Sequence, residues 1–231
     1  DKVLLYRIDS PKGKEPSSLF HHLVYNAFKL NIRIFSYNTT EYIKDMGTPD
    51  RFIEIENLLK KNLIEINNYN RRQKVLFLDR DNTIIECEDK NYIINSKNLK
   101  FLDANIHKII NLSKGYNFVC LVTNQPQIAM GLISIKYLEE IHSKIVKYCL
   151  NLGLKIDVIS FCPHHPHQGY ESEINVLKND CFCRKPQPGM LIKQSYDRNI
   201  DLEKSLLIGD SECDRLAAEN ANCQFLDVKY L

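Results

Sequence analysis

Lys74-Val-Leu-Phe-Leu-Asp-Arg-Asp-Asn-Thr83 sets four consecutive apolar residues, Val75 to Leu78, directly before two aspartates one residue apart, Asp79 and Asp81. An unbroken apolar run bounded by charge reads as a strand buried on both faces, as in the centre of a parallel sheet. Its charged end then lies at the carboxyl edge, where strand tips and the loops after them form the crevice of an open α/β sheet. Two carboxylates on one side of the chain there are hard oxygen donors suited to Mg2+, which is held by one or two carboxylates plus substrate phosphate. The alternative is a plain Asp-Asn turn after a strand.

Outward from this stretch the pattern alternates. Helices are expected over 102–113, 135–152, 189–199 and 213–220, and strands over 117–122, 156–161 and 205–208. Such alternation predicts a parallel sheet with right-handed crossovers over residues 74–231. Residues 1–73 are predicted to be a small α/β appendage and linker: a helix over 17–30, a strand over 32–37, and a helix from Thr48-Pro49 to about Lys61 with Phe52, Ile55, Leu58 and Leu59 on one face. The Asn-rich stretch from Asn62 to Gln73 reads as the linker.

Composition narrows the function classes. The formal charge of +2 arises from 31 basic and 29 acidic residues spread along the chain, so nothing suggests nucleic-acid binding or a polybasic membrane patch. No run reaches the length of a spanning helix and no signal peptide opens the sequence, so a cytoplasmic location is expected. The eight cysteines are then read as reduced thiols or metal ligands. Cys87, Cys120, Cys149, Cys213 and Cys223 are scattered and read as small apolar residues. Cys162, Cys181 and Cys183 share one His- and Pro-rich segment.

Three strand ends carry polar residues: Asp79-x-Asp81 with Thr83, Thr123-Asn124, and Gly209-Asp210 with Asp214. A parallel sheet gathers such tips into one crevice. Lys185 completes a set suited to phosphoryl transfer: a carboxylate nucleophile, a metal, and cationic or hydroxyl donors around the equatorial oxygens. A carboxylate attacking a phosphate dianion meets charge repulsion, so a cation has to screen it and Lys185 has to add positive charge where the transition state gathers negative charge. Cys162-Pro-His164 and Cys181-Phe-Cys183 offer three thiolates and an imidazole, the donor set of a four-coordinate structural Zn2+ site. His164 is preferred to His165 and His167 because Cys-x-His mirrors Cys-x-Cys.

This order of motifs resembles the haloacid dehalogenase superfamily from Lys74 to about Val228. The resemblance implies a Rossmann-like three-layer parallel fold, with Asp79 as nucleophile, Asp81 as general acid and base, and Thr123 and Lys185 on the transferring phosphoryl group. It also implies Asp79, Asp210 and the carbonyl of Asp81 as Mg2+ ligands. The Cys/His loop is similar to that of the subfamily containing histidinol-phosphate phosphatase and D-glycero-D-manno-heptose 1,7-bisphosphate phosphatase, which implies a minimal cap and a zinc-bound loop. Substrate contacts are then expected from Arg80, Asn124, Gln125, Arg184 and Ser211. Asn82 stands where that family has glycine, and Gln125-Pro126-Gln127 where it has Gln-Ser-Gly.

The phrase Glu41–Phe52 resembles the end of the catalytic domain of sugar-phosphate nucleotidyltransferases, and the start at Asp1 is compatible with a piece of a longer bifunctional chain. A fused or associated nucleotidyltransferase is therefore an expected partner. It favours a small phosphorylated sugar, a heptose bisphosphate, as substrate, with histidinol phosphate second. The competing readings are a non-catalytic zinc-stabilised scaffold and a nucleic-acid 3′-phosphatase, the latter without any basic tract to support it.

Overall fold

A computed structural model describes residues 19–33, 42–60, 64, 68, 70–87, 92–97, 99–167 and 169–231. The chain divides into two compact units, residues 1–38 and 39–231, taken here one at a time. In the first, Leu19–Lys29 forms helix α1, which ends where Asn31 turns left-handed at φ 51 and the Ile32 N–H reaches back to the Ala27 carbonyl at 2.9 Å. The strand expected over 32–37 falls, from residue 34 on, outside the described residues.

In the second unit, helix α2 spans Pro49–Lys60, as its Thr-Pro start predicts, and ion pairs Lys44–Glu54 and Arg51–Asp45 tie it to the preceding segment. It buries no residue, and the apolar face that carries Phe52 and Leu59 is exposed. The remainder is an α/β/α sandwich. Five parallel strands, β1 (Val75–Leu78), β2 (Phe118–Asn124), β3 (Val158–Cys162), β4 (Leu206–Gly209) and β5 (Gln224–Asp227), lie in the order β3-β2-β1-β4-β5. β1 is central, as its unbroken apolar run requires: all four of its residues are buried.

Alternation along β1 sorts the core into two layers. Leu76 and Leu78 face a cluster with Ile106, Ile109, Leu138, Ile141 and Ile145, contributed by helices α3 (Asp103–Ser113) and α4 (Ile135–Leu152). Val75 and Phe77 face the other cluster, with Met190 and Leu191 from α5 (Gly189–Arg198) and Ala218 from α6 (Glu212–Asn220). Each of the larger of these buried apolar side chains contributes about 1.5–3 kcal/mol, and a one-residue slip of β1 would draw a flanking charge, Lys74 or Asp79, into the buried run.

Two element readings change. β5 was not expected: only Phe225 and Leu226 of its four residues are apolar, and at the sheet edge that is enough to pair with β4. β2 runs to Asn124 rather than Val122, because Thr123 and Asn124 still pair with Phe161 and Cys162 of β3. Between β1 and α3 the described residues form isolated bridges, Asp81 with Ile85 and Ile85 with Phe101. No helix among the described residues is long and apolar enough to cross a membrane.

Candidate active site

The strand register decides what meets at the carboxyl edge. Leu78 is level with Leu121 of β2 and Ile208 of β4, and the Asp79 N–H donates to the Ile208 carbonyl at 2.8 Å. Asp79, Thr123 and Asp210 therefore emerge side by side from three neighbouring strands. Carboxylate oxygens of Asp79, Asp210 and Asp214 lie within 4.8 Å of one another, close enough to share one ion. Asp214 comes from the first turn of α6, where it closes a capping box with Ser211. Gly209 lets it approach: a Cβ there would sit 2.5 Å from Asp214 Cγ.

Lys185 arrives from the opposite loop with its ammonium buried between two of these carboxylates. Its Nζ donates to Asp79 Oδ1 and Asp214 Oδ1 at 2.5 Å each and to the Val122 carbonyl at 3.0 Å. Asn124 holds the Lys185 backbone in a reciprocal pair, Nδ2 to the Lys185 carbonyl and the Lys185 N–H to Oδ1, both at 3.0 Å. Burial pulls the lysine pKa down, but the Asp79 and Asp214 charges outweigh it and hold it above the ordinary value. Burial pushes Asp79 the other way, up to about 7, aided by Asp214 and Asp81 and only partly offset by Lys185. One ammonium cannot neutralise three carboxylates. The deficit of two positive charges, met by hard oxygen donors, is what a divalent cation such as Mg2+ would fill.

Asp81 points away from this cluster. Its carboxylate accepts two hydrogen bonds from Arg80, Nε to Oδ1 at 2.9 Å and Nη2 to Oδ2 at 3.0 Å, and a third from Gln125 Nε2 at 3.3 Å. Asn82 makes the turn between them in the left-handed region, φ 54, which asparagine tolerates better than most residues. Its Oδ1 accepts from the Cys87 N–H at 2.9 Å, and its side chain also bonds Asp210, whose carboxyl burial raises.

Of the expected substrate contacts, the structure places Arg80 with its guanidinium 1% exposed and turned to Asp81, Gln125 fully buried against Thr123 Oγ1 and Asp81, and Asn124 on the Lys185 backbone. Ser211 caps α6 and donates to Asp214 Oδ2 at 2.5 Å. Arg184 donates to the His164 carbonyl at 3.2 Å and lines a cavity of about 600 Å3 with Pro166, Phe182, Lys185 and Gln187.

That loop is gathered by the second cluster. The sulfurs of Cys162, Cys181 and Cys183 lie 3.2–3.4 Å apart, and His164 Nδ1 is 3.6 Å from the Cys162 sulfur and 3.3 Å from that of Cys183. These separations approach the edges of a tetrahedron around a metal with bonds of about 2.0–2.3 Å. Hydrogen bonding with Cys162, and with Cys181 and His164, lowers the Cys183 thiol from its ordinary value. His165 and His167 face each other and take no part in the cluster. Elsewhere Cys120, Cys149 and Cys223 are buried, with thiols raised by burial to about 12.

Gln127 was not singled out as a site residue. It is fully buried and donates through Nε2 to Gln125 Oε1, a contact between side chains two residues apart that no motif announces.

Against known proteins, residues 74–230 match the family model described as polynucleotide kinase 3 phosphatase. The chain is similar to the D-glycero-β-D-manno-heptose-1,7-bisphosphate 7-phosphatase of Photorhabdus laumondii, 38% identical over 144 residues, covering 62% of this chain and 73% of the relative. The enzyme of the same name from Escherichia coli K12 is 33% identical over 147 residues, 64% and 74% of the two chains. The crystal structure of a D,D-heptose 1,7-bisphosphate phosphatase from B. bronchiseptica, complexed with magnesium and phosphate, is 31% identical with a TM-score of 0.56, covering 66% of this chain and 78% of that one.

Proposed function

The chain belongs to the polynucleotide kinase 3 phosphatase family of haloacid dehalogenase-like phosphatases and is a phosphoric monoester hydrolase, and from that premise we propose that it removes the 7-phosphate of D-glycero-D-manno-heptose 1,7-bisphosphate with Mg2+ as cofactor. The observation that carries this reading is the meeting of Asp79, Asp210, Asp214 and Lys185 at one sheet edge with a deficit of two positive charges. Asp79, Asp210 and the carbonyl of Asp81 would hold the cation. When bound, it supplies the screening that lets a carboxylate approach a phosphate dianion.

The protein groups do the rest. An Asp79 oxygen attacks phosphorus, the bond from phosphorus to the sugar oxygen breaks, and the departing alkoxide takes a proton from Asp81. Water then attacks the aspartyl-phosphate and returns a proton to Asp81, while the bond to Asp79 breaks and phosphate leaves. The Lys185 ammonium and the Thr123 hydroxyl face the oxygens on which charge builds. Cys162, His164, Cys181 and Cys183 take a structural Zn2+ in this account, and the loop they pin presents Arg184 to the far end of the substrate, where its fork suits a second phosphate. In the same account residues 1–73 are the closing segment of a sugar-phosphate nucleotidyltransferase, which would consume the heptose 1-phosphate. The support for that is the phrase Glu41–Phe52 together with helix α2.

Phosphate release from heptose 1,7-bisphosphate and from histidinol phosphate, each titrated with Mg2+, tests the proposal. The expected result is a preference for the heptose, and at least about a 1,000-fold loss of turnover in Asp79→Asn. A preference for histidinol phosphate would replace the sugar reading, and full activity in Asp79→Asn would favour a scaffold. A nucleic-acid substrate is disfavoured by the charge of only +2.

A further inference from the structure

We infer that Gln127 is a positioning residue that locks the orientation of the Gln125 carboxamide and, through it, sets both the acid Asp81 and the hydroxyl of Thr123. The inference rests on the phosphatase reading above. Gln125 sits between two groups that reaction requires: its Nε2 donates to Asp81 Oδ2 at 3.3 Å and to Thr123 Oγ1 at 2.8 Å. With one amide hydrogen on each, the carboxylate is held in place and the threonine oxygen is used as an acceptor. The threonine proton is thereby left for a phosphoryl oxygen.

An amide can turn over, and the turned form would undo both contacts. Gln125 Oε1 would then face the acceptor-only carboxylate of Asp81 and would take the Thr123 proton for itself. The Asp81 carboxylate favours the working orientation, and Gln127 completes it by donating from Nε2 to Gln125 Oε1. The polarity runs one way along the relay, from Gln127 to Gln125 to Asp81, with Arg80 holding Asp81 from the other side. All three members behind Asp81 are buried: Gln125 and Gln127 at 0% and Arg80 at 1% exposure.

The cost of Gln127 points the same way. Its own Oε1 is buried without a hydrogen-bond partner, so an apolar residue of similar length would suit the fold better. A local breach of the packing rules beside a reactive group is what a functional constraint leaves behind.

The test is a cycle of Gln127→Met, Gln125→Met and the double variant in the full chain with Mg2+. Turnover is read on heptose 1,7-bisphosphate, whose alkoxide needs a proton to leave, and on p-nitrophenyl phosphate, whose phenolate leaves without one. Gln127→Met is expected to lose about 50-fold on the bisphosphate and no more than about fivefold on p-nitrophenyl phosphate, with an unchanged or higher thermal midpoint. The double variant should be no slower than Gln125→Met alone, because Gln127 acts only through Gln125. Equal losses on the two substrates, multiplying losses in the double variant, or wild-type rates in Gln127→Met would overturn the inference and leave the phosphatase reading standing. A wild-type chain inactive on both substrates would overturn that reading and this inference with it. Should Gln127→Met fail to fold, Gln127→Asn, one methylene short of Gln125, carries the same expectations.

Discussion

Replacing the proposed nucleophile should make the metal-free protein more stable, by an amount that depends on pH. Asp79 is 6% exposed and its pKa is raised to about 7. A carboxyl raised in the folded state favours folding most below its unfolded pKa, and that advantage is lost as pH climbs to the folded value. Measured against Asn, which carries no charge at any pH, the wild type should therefore fall behind as pH rises through this window. With an unfolded pKa near 3.8 the linkage relation gives an upper limit of about 1.5 kcal/mol at pH 5 and about 4 kcal/mol at pH 8. Coupling to Lys185 and Asp214 reduces this, so about 1–2 kcal/mol between the two pH values is expected. Urea unfolding of the wild type and Asp79→Asn at pH 5, 7 and 8, in buffer without Mg2+, reads it directly. Added Mg2+ should stabilise the wild type and not the variant. A variant less stable than the wild type at pH 8, or a difference that ignores pH, would refute the account of a buried, incompletely neutralised carboxylate.

Three further outcomes follow from the same geometry. Gly209→Ala drives a Cβ to within 2.5 Å of Asp214 Cγ, and should cost at least about 2 kcal/mol by thermal unfolding together with most of the turnover. Cys183→Ser should lose bound zinc by elemental analysis and raise KM more than it lowers kcat, because Arg184 is carried on that loop; a variant that keeps its metal would deny Cys183 a ligand role. His142 is buried and its pKa is lowered to about 3 by burial and then by Arg80. A depressed imidazole costs stability as pH falls below its unfolded value, so from pH 7 to pH 5 the wild type should lose about 2 kcal/mol more than His142→Met in chemical denaturation, and parallel pH curves would count against it.

Legibility in the sequence tracked how much each feature depends on local pattern. β1 was readable because a strand buried on both faces has to be apolar throughout, and Asp79 and Asp81 followed from where it stops. The four candidate ligands Cys162, His164, Cys181 and Cys183 stood out because thiols and imidazoles are rare at such spacing. β5 escaped notice because an edge strand with two apolar residues leaves no periodic signal. The roles of Asn124 and Gln127 depend on partners and rotamers: Asn124 clamps a backbone 61 residues away. Gln127 matters only because the chain folds its side chain back onto Gln125. Asp214 stood out in the sequence only as a polar residue after Gly209-Asp210, and its depth against Lys185 appears only once Gly209 brings α6 close.

The proposed reaction turns on Asp79 itself taking the phosphoryl group. Rapid acid quench of turnover with 32P-labelled heptose bisphosphate, followed by peptide mapping, measures this directly. Label is expected on the peptide spanning Val75 to Thr83, labile to base and absent from Asp79→Asn. Full catalytic turnover with no protein-bound label at any quench time would contradict it.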